Sequence, residues 1–341
     1  MANEAWMSAF TDRGDISLSD ITIPASHDAG LSKGHFYPYH MTSPRKHCIC
    51  QEGDIESQLA AGSRFFDLRI EKKGNNLHTL HGEGLGRLGG AHGQQAGEIF
   101  EQIDDFLSTN NKEIVILRIT HTEEKHKVHT LISQKLRDRL YRTRNTQNIA
   151  HTKLSHLQGK AIAIFDKKAL KEANSQEGLH RLTKVTAGGT IEGGLGLCGE
   201  YAGGGAGMRS MARFAIERGN DHGTHSRNDR GWHDHLFMVY WQLTYDVEHK
   251  ALEKADESRD DLVVIDKNAG PHYNLDYLLN THKGIDTTPV CNDKGKDPLK
   301  SNARKGKRQK HRPNIINLDF VNEAVCNKVI AFNNYFLQLL G

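Results

Sequence analysis

Hydrophobic and polar positions along this 341-residue chain fall into alternating strand-like and helix-like runs. "DITIPA" (20–25) reads as a first strand, "SRFFDLRI" (63–70) as a second, rich in β-formers, and "LHTLHG" (77–82) as a third. Ile99, Phe100, Ile103, Phe106 and Leu107 then recur at the spacing of one helical face. "STNNK" ends that helix, and Ile114 to Ile119 follow as a nearly continuous apolar strand. A strand apolar on both faces belongs to a parallel sheet covered by helices. "HKVHTLISQKLRDRLY" predicts another helix, "KAIAIFDKK" (160–168) a buried strand, "HLFMVYWQLTYD" (235–246) a further strand and "NIINLDFV" (314–321) a late one. Residues 322–340 close the chain as an amphipathic helix. Alternation of this kind over this length favours a (β/α) barrel or a doubly wound sheet.

Two segments interrupt the rhythm. Residues 188–207 hold ten glycines, too many for a regular helix, and do not match the GxGxxG pattern of a nucleotide loop. Residues 294–312 carry nine Lys or Arg against one Asp, the composition of a solvated loop or of a segment drawn to an anionic surface. The regions 170–235 and 247–312 are therefore expected to be inserted or divergent and loop-rich, within one domain spanning 1–341. No internal repeat is found.

Composition narrows the class. Apolar residues make up 37% and charged residues 26%, with a net charge of only +3, which does not point to nucleic acid. The first twenty residues contain early acids and no apolar run of signal-peptide length, and no stretch is long enough to span a bilayer. The expectation is a soluble chain, cytoplasmic or exported by a signal-independent route. Five cysteines at irregular spacing (48, 50, 198, 291 and 326) read as free thiols. His35, His40, His47, Cys48 and Cys50 lie close together, but Cys-x-Cys without a second pair is a poor zinc signature, and a surface loop is the expectation. His222, His225, His233 and His235 sit in a very polar stretch and read as a solvated loop. Trp232 and Trp241 together with the basic run suggest an interfacial face, although Trp241 lies in an apolar strand and reads as core.

Chemistry-bearing residues gather at strand ends. His27 and Asp28 follow the first strand, Asp67 and Arg69 lie in the second, His81 ends the third, and Asp319 lies at the end of the last. In a (β/α) barrel the C-terminal ends of the strands converge on one face, and closure makes the first and last strands neighbours. Two histidines, an arginine and several carboxylates around one mouth suit phosphodiester cleavage without a metal. One neutral His takes a proton from the attacking hydroxyl and a protonated His gives one to the departing oxygen. Arg offsets charge on the phosphate oxygens.

"IPASHDAG", "SQLAAGSRFFDLRI", "LHTLHG" and "FEQIDDFLSTNNKEIVILRITH", in this order and spacing, resemble the X-type catalytic region of phosphatidylinositol-specific phospholipase C, in particular its bacterial, metal-independent branch. The likeness covers residues 18–121 and returns in "PNIINLDFVN" (313–322). It implies a (β/α)8 TIM-type barrel whose closure need not be regular. The implied reaction is attack of the inositol 2-hydroxyl on phosphorus, releasing diacylglycerol and a cyclic inositol phosphate. The resemblance makes His27 the general base with Asp319 as its orienting partner, and His81 the general acid with Asp28 behind it. Arg69 would hold the phosphate and Asp67 would position that shell. The calcium-dependent branch places ligands where this chain has Asp28 and Arg69, so the expectation is no metal and no cofactor.

The chain departs from the family in its ring-binding residues. In place of an Arg on the fifth strand, "FDKK" offers Asp166, Lys167 and Lys168. In place of Asp-x-Tyr on the sixth, "CGEY" offers Glu200 and Tyr201. Lys167, Lys168, Glu200 and Tyr201 are the candidate substrate-binding residues. The implied partner is a phospholipid at a membrane surface, met by a monomer in transient peripheral contact. Two rival readings are a metal-dependent barrel of the glycerophosphodiesterase or sphingomyelinase kind, against which Arg69 argues, and a non-catalytic lipid-binding barrel.

Overall fold

A computed structural model describes residues 3–32, 35–36, 48–81, 91–120, 122, 124–166, 174–184, 191, 193–199, 235–241 and 313–340. Eight parallel strands close on themselves: β1 (Ile23–Ser26), β3 (Phe65–Lys73), β6 (Ile114–Thr120), β7 (Lys160–Phe165), β8 (Leu179–Lys184), β9 (Leu195–Cys198), β10 (Leu236–Trp241) and β11 (Ile315–Leu318). Closure is made at β1, which pairs with β3 through Ala25↔Phe65 and with β11 through Ile23↔Ile315 to Ser26↔Leu318. The structure is thus a TIM-type barrel, one of the two architectures the alternating pattern allows and the one the family resemblance implies.

Strand alternation sorts the side chains into two cores. Ile23, Phe65, Ile116, Ile162, Ile164, Leu195, Leu236, Met238 and Ile315 fill the barrel, capped from below by Met7, Phe10, Ile16 and Leu18 of the N-terminal segment. Their neighbours Phe66, Leu68, Val115, Leu117, Ile119, Ala163 and Phe165 point outward against the helices. Those helices are α2 (Ile55–Ala61), α3 (Ala96–Thr109) and α4 (Lys125–Leu136); a one-turn α1 (Ser8–Thr11) belongs to the lower cap, and α5 (Glu323–Leu340) closes the chain. Helix α3 buries Ile99, Phe100, Ile103 and Leu107, and α4 buries Val128, Ile132 and Leu136. Asp54 caps α2 by accepting from the Ser57 amide at 3.0 Å, and Gly62 ends it at φ 115°, where a Cβ would lie 2.9 Å from Asn3 Cβ.

Three differences from the sequence reading matter. "LHTLHG" is not a barrel strand: β3 outruns the wall, pairing with β6 from Phe65 to Arg69, and its last four residues pair antiparallel with β4 (Asn76–His81). β4 in turn pairs with β5 (Ala91–Gln95), and β5 with β2 (His35–Phe36), forming a flap beside the barrel mouth. Second, β8 and β9 are barrel strands inside the region read as loop-rich. Third, α4 is shorter than its hydrophobic run and gives way at Arg137 to a 3-10 turn. Cys48, Cys50, Cys198 and Cys326 are buried and outside disulfides, so Cys48 and Cys50 do not lie on a surface loop, while His40 and His47 fall outside the described residues. His235 is buried rather than solvated, and Trp241 is buried as expected. No helix among the described residues is long and apolar enough to cross a membrane.

The lower end carries a fully buried ion pair. Arg64 Nε donates to Glu113 Oε2 at 2.7 Å, with neither side chain exposed. Its Nη1 reaches the carbonyls of Leu59 and Ser63, its Nη2 those of Asn3 and Glu4, so all five donors are used. Glu113 Oε1 accepts from the Met7 amide at 2.8 Å. The pair ties the start of β3, the start of β6 and the N-terminal cap together. Removing one partner leaves a buried charge uncompensated. Arg64→Ala and Glu113→Ala are each expected to lower the unfolding free energy by about 3–5 kcal/mol, read by urea denaturation; a loss below about 1 kcal/mol contradicts this account.

Candidate active site

The same alternation that fills the barrel determines what reaches its mouth. Continuing the inward set upward, Ile23 and Ala25 lead to His27, Phe65 leads to Asp67 and Arg69, and Ile114 and Ile116 lead to Arg118. Leu236 and Met238 lead to Tyr240, and Ile315 leads through Asn317 to Asp319. Apolar layers below therefore give way to a polar layer at the C-terminal strand ends.

Within this layer the structure brings all six of the principal predicted residues together. His27 Nδ1 lies 2.8 Å from Asp319 Oδ1, across 292 residues of chain. The His27 amide donates to the Leu318 carbonyl at 2.9 Å, so the two strand ends are held in register. Immediately afterwards the chain turns left-handed at Asp28 (φ 39°), a conformation that Asp tolerates better than most residues. The Ala29 amide, donating to the Asp67 carbonyl at 2.9 Å, secures that turn. As a result the Asp28 carboxylate points back into the mouth. Its Oδ2 lies 2.6 Å from His81 Nδ1 and 3.6 Å from His27 Nε2, and its Oδ1 lies 3.1 Å from Arg69 Nε. His81 arrives at the end of β4, on the flap and not on the barrel wall.

Asp67 does not pair with Arg69, its neighbour two positions along the strand. Its Oδ2 faces Arg118 Nη1 at 3.3 Å, in the β3–β6 register Asp67↔Arg118. Arg118 Nη1 also donates to the Tyr240 hydroxyl at 3.3 Å. Asp67 Oδ1 and Arg118 Nε are buried without a hydrogen-bond partner among the described residues. Arg118 and Tyr240 were not among the expected site residues. The signal for Arg118 was present in "EIVILRITH": a charged residue in phase with Ile114 and Ile116, in a strand otherwise apolar on both faces. Lys167, Lys168, Glu200 and Tyr201 lie outside the described residues; Asp166, at the end of β7, lies within them.

Beneath the histidine dyad sits Gln51, fully buried. Its amide nitrogen donates to the carbonyls of His27 (2.8 Å) and Leu318 (3.1 Å), and its oxygen accepts from the Val321 amide at 3.0 Å. Next to it, the Phe320 amide donates to the Cys50 carbonyl at 2.8 Å, while Phe320 itself is left-handed (φ 49°). These contacts hold both strand ends where the chain leaves the sheet.

The electrostatics follow from burial and from this geometry. Burial alone would lower the His27 pKa, but Asp28 and Asp319 outweigh it and raise it from 6.5 to about 9. Burial would raise Asp28, yet Arg69, His27 and His81 hold it well below the usual carboxylate range. Burial pushes Asp319 upward, opposed by His27; with His27 at about 9, the shared proton resides on the imidazole. Asp28 holds Arg69 more firmly charged, and Asp67 and Tyr240 do so for Arg118 against the cost of burial. Burial, with Asp319 and Asp28 nearby, pushes the Cys50 thiol well up.

Among the described residues, three sets of donor atoms lie within 4.8 Å of one another: His27–Cys50–Asp319, Asp28–Cys50–His81 and His27–Asp28–Asp67. None suits a hard cation, which takes six or more oxygen ligands. Every set includes an imidazole and two of the three a thiol, and Arg69 Nε lies 3.1 Å from Asp28 Oδ1.

Fold and mouth together define a class: a closed parallel barrel whose strand ends carry paired histidines, arginine and carboxylates. Residues 21–168 match the family model for the phosphatidylinositol-specific phospholipase C X domain. The chain is 31% identical over 140 residues to PI-PLC X domain-containing protein 3 of Danio rerio, covering 34% of this chain and 41% of that protein. It is 30% identical over 151 residues to PI-PLC X domain-containing protein 1 of Homo sapiens, covering 36% and 43%. It thus spans under half the length of these curated relatives. Among solved structures, the phosphatidylinositol-specific phospholipase C from Listeria monocytogenes superposes with a TM-score of 0.59 at 15% identity, over 97% of this chain and 99% of that one. The enzyme of the same description from Staphylococcus aureus gives 0.57 at 15% identity, over 97% and 98%. At such identity the likeness to these two structures is one of fold.

His27 yields a prediction independent of any substrate. Its folded pKa lies above the unfolded value, so its protonation stabilises the fold fully below about pH 6.5. That contribution is lost as pH rises to about 9. It amounts to about 3 kcal/mol. The stability difference between wild type and His27→Gln, from urea unfolding at each pH, should shrink across pH 6.5–9, while alkaline loss from the cysteines is common to both. A difference that stays flat across this range contradicts the assignment.

Proposed function

We propose that this barrel cleaves a phosphatidylinositol-like phospholipid as a metal-independent phosphorus–oxygen lyase, releasing diacylglycerol and a cyclic inositol phosphate. The observation that carries the reading is a relay with two ends: Asp319–His27 on one side, Asp28–His81 on the other, with Arg69 against Asp28 between them.

With Nδ1–H of His27 directed to Asp319, its Nε2 is left to take the proton of the attacking inositol hydroxyl. That hydroxyl oxygen forms the new bond to phosphorus. With Nδ1–H of His81 directed to Asp28, its Nε2 is left to protonate the glycerol oxygen as the phosphorus–oxygen bond breaks. After one turnover His27 has gained a proton and His81 has lost one, and exchange with water resets both. Arg69 supplies a fixed charge and several donors to the phosphate oxygens, the task a cation performs in metal-dependent phosphodiesterases. Hydroxyls of the ring would satisfy the unpaired Asp67 Oδ1 and Arg118 Nε deeper in the mouth. Transient contact with a membrane surface would deliver the lipid.

The test is turnover of phosphatidylinositol vesicles in excess chelator, followed by phosphorus NMR. Wild type should give a cyclic phosphate, at a rate that rises with pH as His27 loses its proton. His27→Ala and His81→Ala should each lose about 10²–10⁴-fold, and Arg69→Lys about 10²–10³-fold. Cleavage of another phospholipid instead would retain the mechanism and change the head group. Activity abolished by chelator and restored by magnesium would favour the metal-dependent rival.

A further inference from the structure

Cys50 is a buried thiol in the mouth with no part in the relay just described. Its Sγ lies 4.0 Å from Asp28 Oδ2, the oxygen that also faces His81 Nδ1 at 2.6 Å. It belongs to two of the three donor sets, one on each side of the relay. We propose that Cys50 Sγ, His81 Nδ1 and Asp28 Oδ2 form a site for a thiophilic divalent cation such as Zn²⁺, whose binding shuts off the site. The inhibitory half of this proposal rests on His81 being the acid; the binding half does not.

A thiolate, an imidazole and one carboxylate are a zinc-type donor set and a poor one for calcium or magnesium. Tetrahedral zinc with ordinary bond lengths separates such donors by about 3.3–3.6 Å. Closing Sγ on Oδ2 and opening Nδ1 from Oδ2 to those separations each requires a shift of under about 1 Å. His81 is able to make it, because its side chain is a quarter exposed and stands at the end of β4. Arg69 does not obstruct, since it faces Oδ1 while Cys50 Sγ and His81 Nδ1 both approach Oδ2. His27 Nε2 lies 3.6 Å from that same oxygen.

The charge balance is favourable. The cation displaces the thiol proton of Cys50 and takes Nδ1 of His81: from an imidazolium that ring proton leaves too, so two protons leave as two positive charges arrive, and from a neutral ring it moves to Nε2. A coordinating thiol is deprotonated outright by the metal. Bound this way, His81 no longer has Asp28 to orient its proton, and the acid end of the relay is disabled. Free zinc would then act as a brake on a site that needs no metal for its chemistry.

The experiment uses the full chain stripped with chelator and titrated with Co²⁺, whose thiolate bond gives a near-ultraviolet charge-transfer band. The expected result is a band that saturates at one cobalt per chain and is displaced by Zn²⁺. It should vanish in Cys50→Ser and in Cys50→Ala, each checked for fold by circular dichroism. In His81→Gln, half-saturation should need at least tenfold more cobalt. Zn²⁺ should suppress phosphatidylinositol turnover of wild type with the same midpoint and suppress Cys50→Ser at least tenfold less well. No band, or a band that persists in both Cys50 variants, overturns the site. A Cys50-dependent band with turnover unaffected by Zn²⁺ overturns the inhibitory half. Absence of any lipid cleavage alongside a normal band would count against the lyase reading and leave the cation site standing.

Discussion

Every strand of a closed barrel sends alternate side chains toward one axis, and that constraint organises this molecule from its lower cap to its mouth. Isoleucine, leucine and phenylalanine occupy the inward positions of the lower layers, where no water is available to a polar group. The same phase, carried two residues further along β1, β3, β6, β10 and β11, delivers His27, Asp67, Arg69, Arg118, Tyr240 and Asp319 to the open end. No separate instruction is needed to bring them together. A one-residue slip in any of these strands would exchange a catalytic candidate for a core residue and place an apolar group in the mouth.

One carboxylate then divides the mouth into two functions. Asp28 cannot belong to β1, because continuing the strand would turn its side chain outward. Its left-handed turn brings the carboxylate inward, where the two oxygens have different partners, Arg69 on one and His81 on the other. Local backbone strain of this kind costs about 1–3 kcal/mol and is offset by the contacts of the carboxylate with Arg69, His27 and His81. Gln51 serves the adjacent need: where β1 and β11 end, the carbonyls of His27 and Leu318 and the amide of Val321 meet on a single buried side chain.

Much of the site was legible in the sequence because its residues lie in phase with apolar strands: Asp67 and Arg69 behind Phe65, Asp319 behind Ile315, His27 behind Ile23. His81 was legible as a residue but not as to its position, because the pattern of "LHTLHG" is that of any half-buried strand and cannot distinguish a barrel wall from an antiparallel flap. Gln51 gave no signal, since its role depends on contacts with residue 318 and beyond, and Cys50 stood out only as one of a Cys/His group that reads as a surface loop. β9 was hidden by its glycines. Gly196 is there because of packing: a Cβ would lie 2.7 Å from Ile191 Cδ1 and 2.9 Å from His235 Cβ. A glycine required by close approach looks, in sequence, like a glycine in a loop.

The two buried Arg–carboxylate pairs show how stability and chemistry are separated along the barrel axis. Arg64 and Glu113, at the lower end, have every donor of the guanidinium and both carboxylate oxygens engaged, so the pair has nothing left to offer a ligand. Arg118 and Asp67, at the upper end, make a longer contact of 3.3 Å and leave one donor and one acceptor unused. An unsatisfied buried polar atom costs about 1–3 kcal/mol. A structural pair would be expected to relax into a geometry that avoids this. The β3–β6 register holds Asp67 and Arg118 in place, and on the proposed reading Asp67 Oδ1 and Arg118 Nε are the atoms that hydroxyl groups of the substrate would meet. On that reading the lower pair serves the fold alone, while the upper pair would serve a ligand as well.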